Sequence, residues 1–293
     1  MNTTSLVQIE TTDNLLLNGL WFGPRDSSTV FILIHGLTSN AFANHGLILP
    51  LVDNNTAVLT FSNRGSEKIT RFKKRDLRKK KGYTSVTIGE AHEVFTDCVH
   101  DIAGAVNFAK KQGAKHIVLI GHSTGCQKSI YYLAMRNKQK NVNGVVLLAP
   151  MSDYAGAQKH MDSLVVKIAT KYAQKLIIQG KPHELIPLEI WPLMHDAQRF
   201  ISLYTSESSE EIFCYSNPMK KPSTLQKVKI SQLIILAGKD EFRDRQMKHI
   251  AKWFSSKLRR KNAEVHIINN APHNFFSYEK EVVEAIRSWR NSL

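Results

Sequence analysis

The sequence predicts an α/β fold built on a mostly parallel sheet with helices on both faces, and three observations support it. Short, β-branched apolar runs alternate with stretches of helical hydrophobic period along most of the 293 residues. The apolar runs are nearly continuous and bounded by loop residues, as strands buried on both faces require. The alternation breaks once, between Met151 and Lys229, where helix patterns appear without a strong strand pair. One domain with an insertion follows: residues 1–150 and 230–293 form the sheet core, and 151–229 form a helical cap or lid.

The elements follow in order. Leu6 to Glu10 and Leu15 to Phe22 flank the turn-forming Thr11-Thr12-Asp13-Asn14 and read as a hairpin. Buried strands follow at Thr29–Ile34, Thr56–Phe61, His116–Ile120, Val145–Ala149, Leu233–Ala237 and Val265–Ile268. Between them, Phe95, Ile102, Val106 and Phe108 share one helix, Ile130 to Met135 form a second, Ile250 to Phe254 a third, and Val282, Ile286 and Trp289 mark a C-terminal one. In the insertion, an amphipathic helix from about Asp162 to Gln179 is stopped by Gly180, and another spans His195 to Leu203.

Composition excludes several classes. A hydrophobic fraction of 42% argues against disorder. Met1-Asn2-Thr3-Thr4-Ser5 has no basic segment leading into an apolar one, so no secretory signal is expected. No apolar run approaches the roughly 20 residues that span a bilayer. Three cysteines, Cys98, Cys126 and Cys214, are an odd number without metal-type spacing, which argues against a disulfide framework or zinc site. A cytoplasmic protein is expected. The 40 Lys and Arg exceed the 25 Asp and Glu by 15 charges, yet eight of the basic residues lie between Arg71 and Lys81 against one acid, Asp76. Charge so concentrated argues against a general nucleic-acid-binding surface.

Gly121-His122-Ser123-Thr124-Gly125 joins a predicted strand to a predicted helix. A hydroxyl lifted off a sharp strand-to-helix turn needs small residues two positions either side, and the helix N-terminus offers free N–H groups to developing negative charge. Ser123 is therefore the candidate nucleophile. His35-Gly36-Leu37-Thr38 ends a buried strand upstream, so the amides of Leu37 and Thr124 are candidate oxyanion donors. Asp240 follows the strand ending at Ala237, and His273 follows the strand ending at Ile268. Four loops, each at a strand's carboxyl end, thus supply a nucleophile, oxyanion donors, an acid and a base, at the edge where open α/β sheets bind ligands.

With these residues in place the chain resembles an α/β-hydrolase over nearly its whole length. Gly121-His-Ser-Thr-Gly-Cys-Gln127, with Ala149-Pro-Met-Ser-Asp153 after the next strand, resembles more narrowly a hydrolase family that includes fungal siderophore ester hydrolases. The resemblance implies a Ser-Asp-His esterase that needs no cofactor or metal. In that family an acidic residue follows the Cys-Gln pair, whereas Lys128 stands here, and the basic run is not part of the pattern. An acyltransferase or amidase would use the same three residues. A degenerate binding protein would have lost one of them. Asp153 rivals Asp240 as the acid, although its Ser-Asp context also suits a helix cap.

The remaining candidates have two readings each. His35, Gly36, Arg64, Asp153 and Trp191 are candidate substrate contacts, while the reading favoured for Arg64 is pairing with a neighbouring loop acid. Trp191, Phe200, Leu203 and Tyr204 would line an acyl pocket or form the cap's own core. Cys126 and His122 read as packing residues. The run 71–81 reads as a solvated loop. Its functional alternative is a basic flap beside the cleft that attracts a small anionic ester, or associates weakly with an anionic membrane or nucleic acid.

Overall fold

Alternate residues of the central strands face opposite ways, and each set builds its own core. The computed structural model describes residues 4–135, 139–259 and 262–291. Among these, the strands are β1 (Thr4–Glu10), β2 (Leu15–Phe22), β3 (Thr29–Ile34), β4 (Thr56–Phe61), β5 (Arg71–Arg75), β6 (Tyr83–Thr87), β7 (His116–His122), β8 (Gly144–Leu148), β9 (Ser231–Ala237) and β10 (Ala263–Ile268). The helices are α1 (His45–Ile48), α2 (Cys98–Lys111), α3 (Thr124–Met135), α4 (Asp153–His160), α5 (Ser163–Ile178), α6 (Ala197–Tyr204), α7 (Ser223–Lys227), α8 (Met247–Lys257) and α9 (Glu279–Arg290).

All strands join one sheet, in the order β10-β9-β8-β7-β3-β4-β2-β5-β6, with β1 on the other edge of β2. From β4 to β10 along this path the pairs are parallel, while β2 runs antiparallel to β1, β4 and β5. Val30, Ile32 and Ile34 of β3 pack on one face with Ile102 and Val106 of α2, Ile130 of α3 and Phe254 of α8. Phe31 and Leu33 point the other way, onto Leu47 of α1 and Val282, Ile286 and Trp289 of α9. This is the two-faced α/β sandwich that the sequence predicts.

Two elements differ from expectation. Phe95 lies in a separate 3-10 turn, Phe95–Asp97, ahead of α2. The basic run is not a loop: its first half is β5, paired along its length with β6. Only Phe72 of β5 is buried, so the strand carries a single apolar residue among cations and shows no hydrophobic period.

In the insertion, Asp162 caps α5 by accepting from the amides of Leu164 and Val165, and Gly180 follows the helix at φ +74°. Ala157, Val166, Ala173, Trp191, Phe200 and Leu203 form a separate small core there. Ile212, Phe213, Tyr215, Leu225 and Val228 pack instead into the main core. Among the described residues no helix is long and apolar enough to cross a membrane.

Candidate functional site

The strand-to-helix turn explains its own sequence. Ser123 adopts φ +53°, a left-handed conformation that a serine occupies only when its surroundings impose it. Its backbone is fixed by donation to Leu148 O at 3.0 Å and acceptance from Cys126 N at 2.8 Å. A Cβ on Gly121 would lie 2.5 Å from Gly125 O, and one on Gly125 would lie 2.0 Å from Ile34 O. Both glycines therefore let β7, α3 and the end of β3 meet at one point. A Cβ on Gly36 would stand 2.8 Å from Ser123 Cβ, so the loop after β3 touches the serine only because Gly36 has no side chain. Among the described residues neither the Leu37 nor the Thr124 amide has a hydrogen-bond partner. Thr124 opens α3, where such free amides belong.

Asp240 and His273 meet across adjacent loops. Lys239 donates its amide to Ala271 O at 2.9 Å, lacing the loop after β9 to the loop after β10. His273 Nδ1 then lies 2.6 Å from Asp240 Oδ2, the length of a charge-assisted bond, with the carboxylate fully buried. Asp240 Oδ1 accepts the Phe242 amide at 2.9 Å. The His273 amide donates to Glu241 Oε2 at 3.0 Å, and His122 Nε2 donates to His273 O at 3.0 Å. Burial first, and the neighbouring His273 second, push the His122 pKa down to about 4, so its ring is a neutral strut at pH 7. Phe242 packs edge-on to His273, with ring centroids 4.9 Å apart.

Ser123 and His273 line one cleft of about 580 Å³ that lies between the sheet edge and the cap. That volume suits a small ligand. Met151, Ala157, Met161, Trp191, Leu193, Tyr204 and Phe242 supply apolar wall, and among the described residues no Lys or Arg lines it. Among the described residues there is no cluster of three or more His, Cys, Asp or Glu that would hold a metal ion.

The structure brings Gly36, Leu37, Ser123, Asp153, Trp191 and His273 into the cleft. Thr124 and Asp240 lie directly behind it, buried. Trp191 is fully buried, donates Nε1 to His195 at 3.1 Å and belongs to the cap core, so it packs and faces the cleft at once. Tyr204 does the same, while Phe200 and Leu203 only pack. Asp153 is the first residue of α4, capped by Ser152, and its Oδ2 accepts from Gln127 Nε2 at 3.0 Å.

Two candidates for substrate contact are corrected. His35 turns away from the cleft: Nδ1 donates to Gly36 O at 2.8 Å and Nε2 accepts from Asn63 N at 3.0 Å. Burial, then Lys128, depress its pKa to about 3, leaving a neutral ring that pins the loop. Arg64 is buried and paired with Asp101 at 2.8 Å and with Asp13 and Asp97 at 3.1 Å, so its charge is consumed inside the fold. It borders a different hollow of about 370 Å³, beside Val86, Ile88 and His183. None of residues 71–81 lines the cleft, so the basic run is not a flap over it.

Sequence reasoning missed a buried ionic network behind the cleft. Lys128 Nζ lies 2.6 Å from Glu93 Oε1, and Arg199 bridges Glu93 at 3.1 Å and Glu210 at 2.6 Å, all fully buried. A Cβ on Gly65 would sit 2.3 Å from Glu93 Oε2, so that glycine makes room for the carboxylate. The unusual Lys128 is therefore an internal counter-ion. Burial, followed by repulsion from Glu210, pushes the Asp153 pKa up to about 8. The cleft residues Asn44, His160, Met161, Leu193, Phe242 and Asn274 were also missed, because each is an isolated loop or cap residue without a motif.

Residues 82–290 match the model of a family described as "Protein of unknown function (DUF1749)". No curated protein matches the chain significantly. Among solved structures, the siderophore hydrolase EstB from Aspergillus fumigatus superposes with a TM-score of 0.65 at 16% identity, over 99% of this chain and 98% of that one. Est1E from Butyrivibrio proteoclasticus, with ferulic acid bound, gives 0.64 at 15% identity, over 98% of both chains. An esterase of Pyrococcus furiosus gives 0.58 at 19% identity, over 98% of this chain and 92% of that one. The architecture is the α/β-hydrolase fold.

Proposed function

The chain belongs to the DUF1749 family of proteins of unknown function, and on that premise we propose that it is a serine esterase cleaving carboxylic esters through an acyl-enzyme. The observation that carries the reading is the 2.6 Å bond from buried Asp240 to His273, which shares one cleft with a strained, partly exposed Ser123. A serine held in left-handed backbone at the end of a strand, on the wall of a cleft, is the expected mark of a site built for chemistry.

In this reading Asp240 holds the proton of His273 on Nδ1, so that Nε2 is free to take the Ser123 proton as Oγ attacks the ester carbonyl. The buried carboxylate then stabilises the imidazolium. The amides of Leu37 and Thr124 receive the oxyanion, an interaction typically supplying a factor of about 10² to 10³ per donor. Protonated His273 passes its proton to the leaving alcohol. Water, deprotonated by the same nitrogen, then attacks the acyl-Ser123 carbonyl, and as the intermediate collapses His273 returns that proton to Ser123 Oγ, breaking the acyl–Oγ bond and releasing the acid.

The lining favours an ester without a carboxylate near the reacting carbonyl, because among the described residues no Lys or Arg lines the cleft to hold one. Two carboxyls line the cleft: Glu90, tied to His195 at 3.0 Å and Lys68 at 3.2 Å, and Asp153, which accepts from Gln127 at 3.0 Å. The test is hydrolysis of p-nitrophenyl acetate and butyrate by wild type and Ser123→Ala. Turnover by the wild type that falls at least a thousandfold in the variant supports the proposal, and equal rates contradict it.

A further inference from the structure

The basic hairpin is left unused by the esterase chemistry, and its register fixes where it points. Along one edge of β2, Phe22 to Gly19 pair with β4, and Leu16 and Leu15 pair with Lys73 and Lys74 of β5. β5 therefore runs on past the carboxyl end of β4, by roughly 15 Å at about 3.3 Å per residue. The tip stands beyond the sheet edge that carries Ser123.

The tip is a fixed structure. Asp76 accepts from the Arg78 amide at 3.1 Å, Lys79 and Gly82 close the turn, and Gly82 supplies its φ of +72°. Arg75 and Arg78 have carboxylate partners, Glu10 and Asp76. Arg71, Lys73, Lys74, Lys79, Lys80 and Lys81 have no ion pair among the described residues. Leu77, at the tip, is 83% exposed. The exposed phenylalanines Phe42, Phe242 and Phe276 lie in the loops after β3, β9 and β10, at the same edge of the sheet.

We propose that the hairpin tip and this edge dock on an anionic bilayer surface, with Leu77 entering the headgroup region and the cations facing lipid phosphates. Cations beside exposed apolar side chains are what an interfacial site requires. A single-stranded nucleic-acid site would offer aromatic faces for base stacking, whereas Tyr83 on the hairpin has Lys73 Nζ over its ring at 4.7 Å. Docking in this pose turns the cleft towards the membrane. The proposal stands independently of the esterase reading.

The experiment is co-sedimentation of the full chain with phosphatidylcholine vesicles, with and without phosphatidylserine. A basic side chain near an anionic surface contributes roughly fivefold to partitioning. Wild type binds the phosphatidylserine vesicles and releases in high salt, and R78S/K79S/K80S/K81S loses roughly 600-fold in binding, four such factors multiplied. Leu77→Ser, which keeps the charge, loses severalfold. Far-UV circular dichroism and thermal melting confirm that the variants are folded. No binding by wild type, binding retained by the quadruple variant, or an unaffected Leu77→Ser overturns the proposal. So does salt-sensitive binding to a polyuridine oligonucleotide in place of vesicles.

Discussion

Replacing Asp240 by Asn tests the acid at its most informative point, because the structure dictates how the amide must sit. One carboxylate oxygen accepts the Phe242 amide at 2.9 Å, and the other faces His273 Nδ1 at 2.6 Å. Asn offers one oxygen and one NH2 group. With its oxygen on His273, the NH2 group confronts the Phe242 N–H, and leaving donors unpaired in a site 1% exposed costs about 1–3 kcal/mol. The oxygen therefore stays on Phe242 and the NH2 group faces Nδ1. That forces the histidine proton onto Nε2, the nitrogen that must accept it from Ser123. The ring keeps its place but is the wrong tautomer, and its cation loses its counter-charge. A loss of about 10⁴ in kcat is expected, or about 5.5 kcal/mol. Steady-state hydrolysis of p-nitrophenyl butyrate by Asp240→Asn and Asp153→Asn is the assay, with Tm as a control for folding. A loss under about tenfold for Asp240→Asn, with a larger one for Asp153→Asn, would move the acid to Asp153 and refute the reasoning.

Gly36→Ala places a methyl 2.8 Å from Ser123 Cβ and displaces the loop carrying the Leu37 amide. kcat falls more than tenfold while urea unfolding changes by only about 1–2 kcal/mol, within the ordinary range for point mutants; unchanged kcat would count against this contact. Lys128→Met strips Glu93 of one of two buried counter-ions and costs about 3–5 kcal/mol in urea unfolding. Adding Glu93→Gln recovers at least half of that, and simple additivity would show that the pair is not coupled. The carboxyls of Asp153 and Glu211 are raised by burial, to about 8 and about 7. Between the unfolded carboxyl range near 4 and these values the folded state binds more protons, so these groups lower stability as pH rises from about 4 to 8. Tm of wild type should fall relative to Asp153→Asn across that window; a constant difference would contradict the raised pKa.

Much of the fold was legible because the buried strands are short, β-branched and bounded by loops, so β2, β3 and β4 begin and end where the sequence placed them. The candidate site was legible because a sharp turn needs glycines and because the loops after β7, β9 and β10 each carry one reactive side chain at a strand end. What escaped had no periodic signal. β5 pairs through its backbone while only Phe72 is buried, so its sequence reads as a charged loop. Arg64 and Lys128 resemble surface charges until Asp101 and Glu93, distant in sequence, are brought against them. His35, next in sequence to the candidate oxyanion loop, is turned inwards, its ring accepting the Asn63 amide.

The nucleophile is the centre of the account, and active-site labelling reaches it most directly. The folded protein is treated with a fluorophosphonate, its intact mass measured and the modified peptide mapped. One adduct per chain on Ser123, absent after denaturation and absent in Ser123→Ala, is the result predicted from a strained serine sharing a cleft with His273. An unlabelled Ser123 in folded protein, or an adduct on another residue, would contradict it.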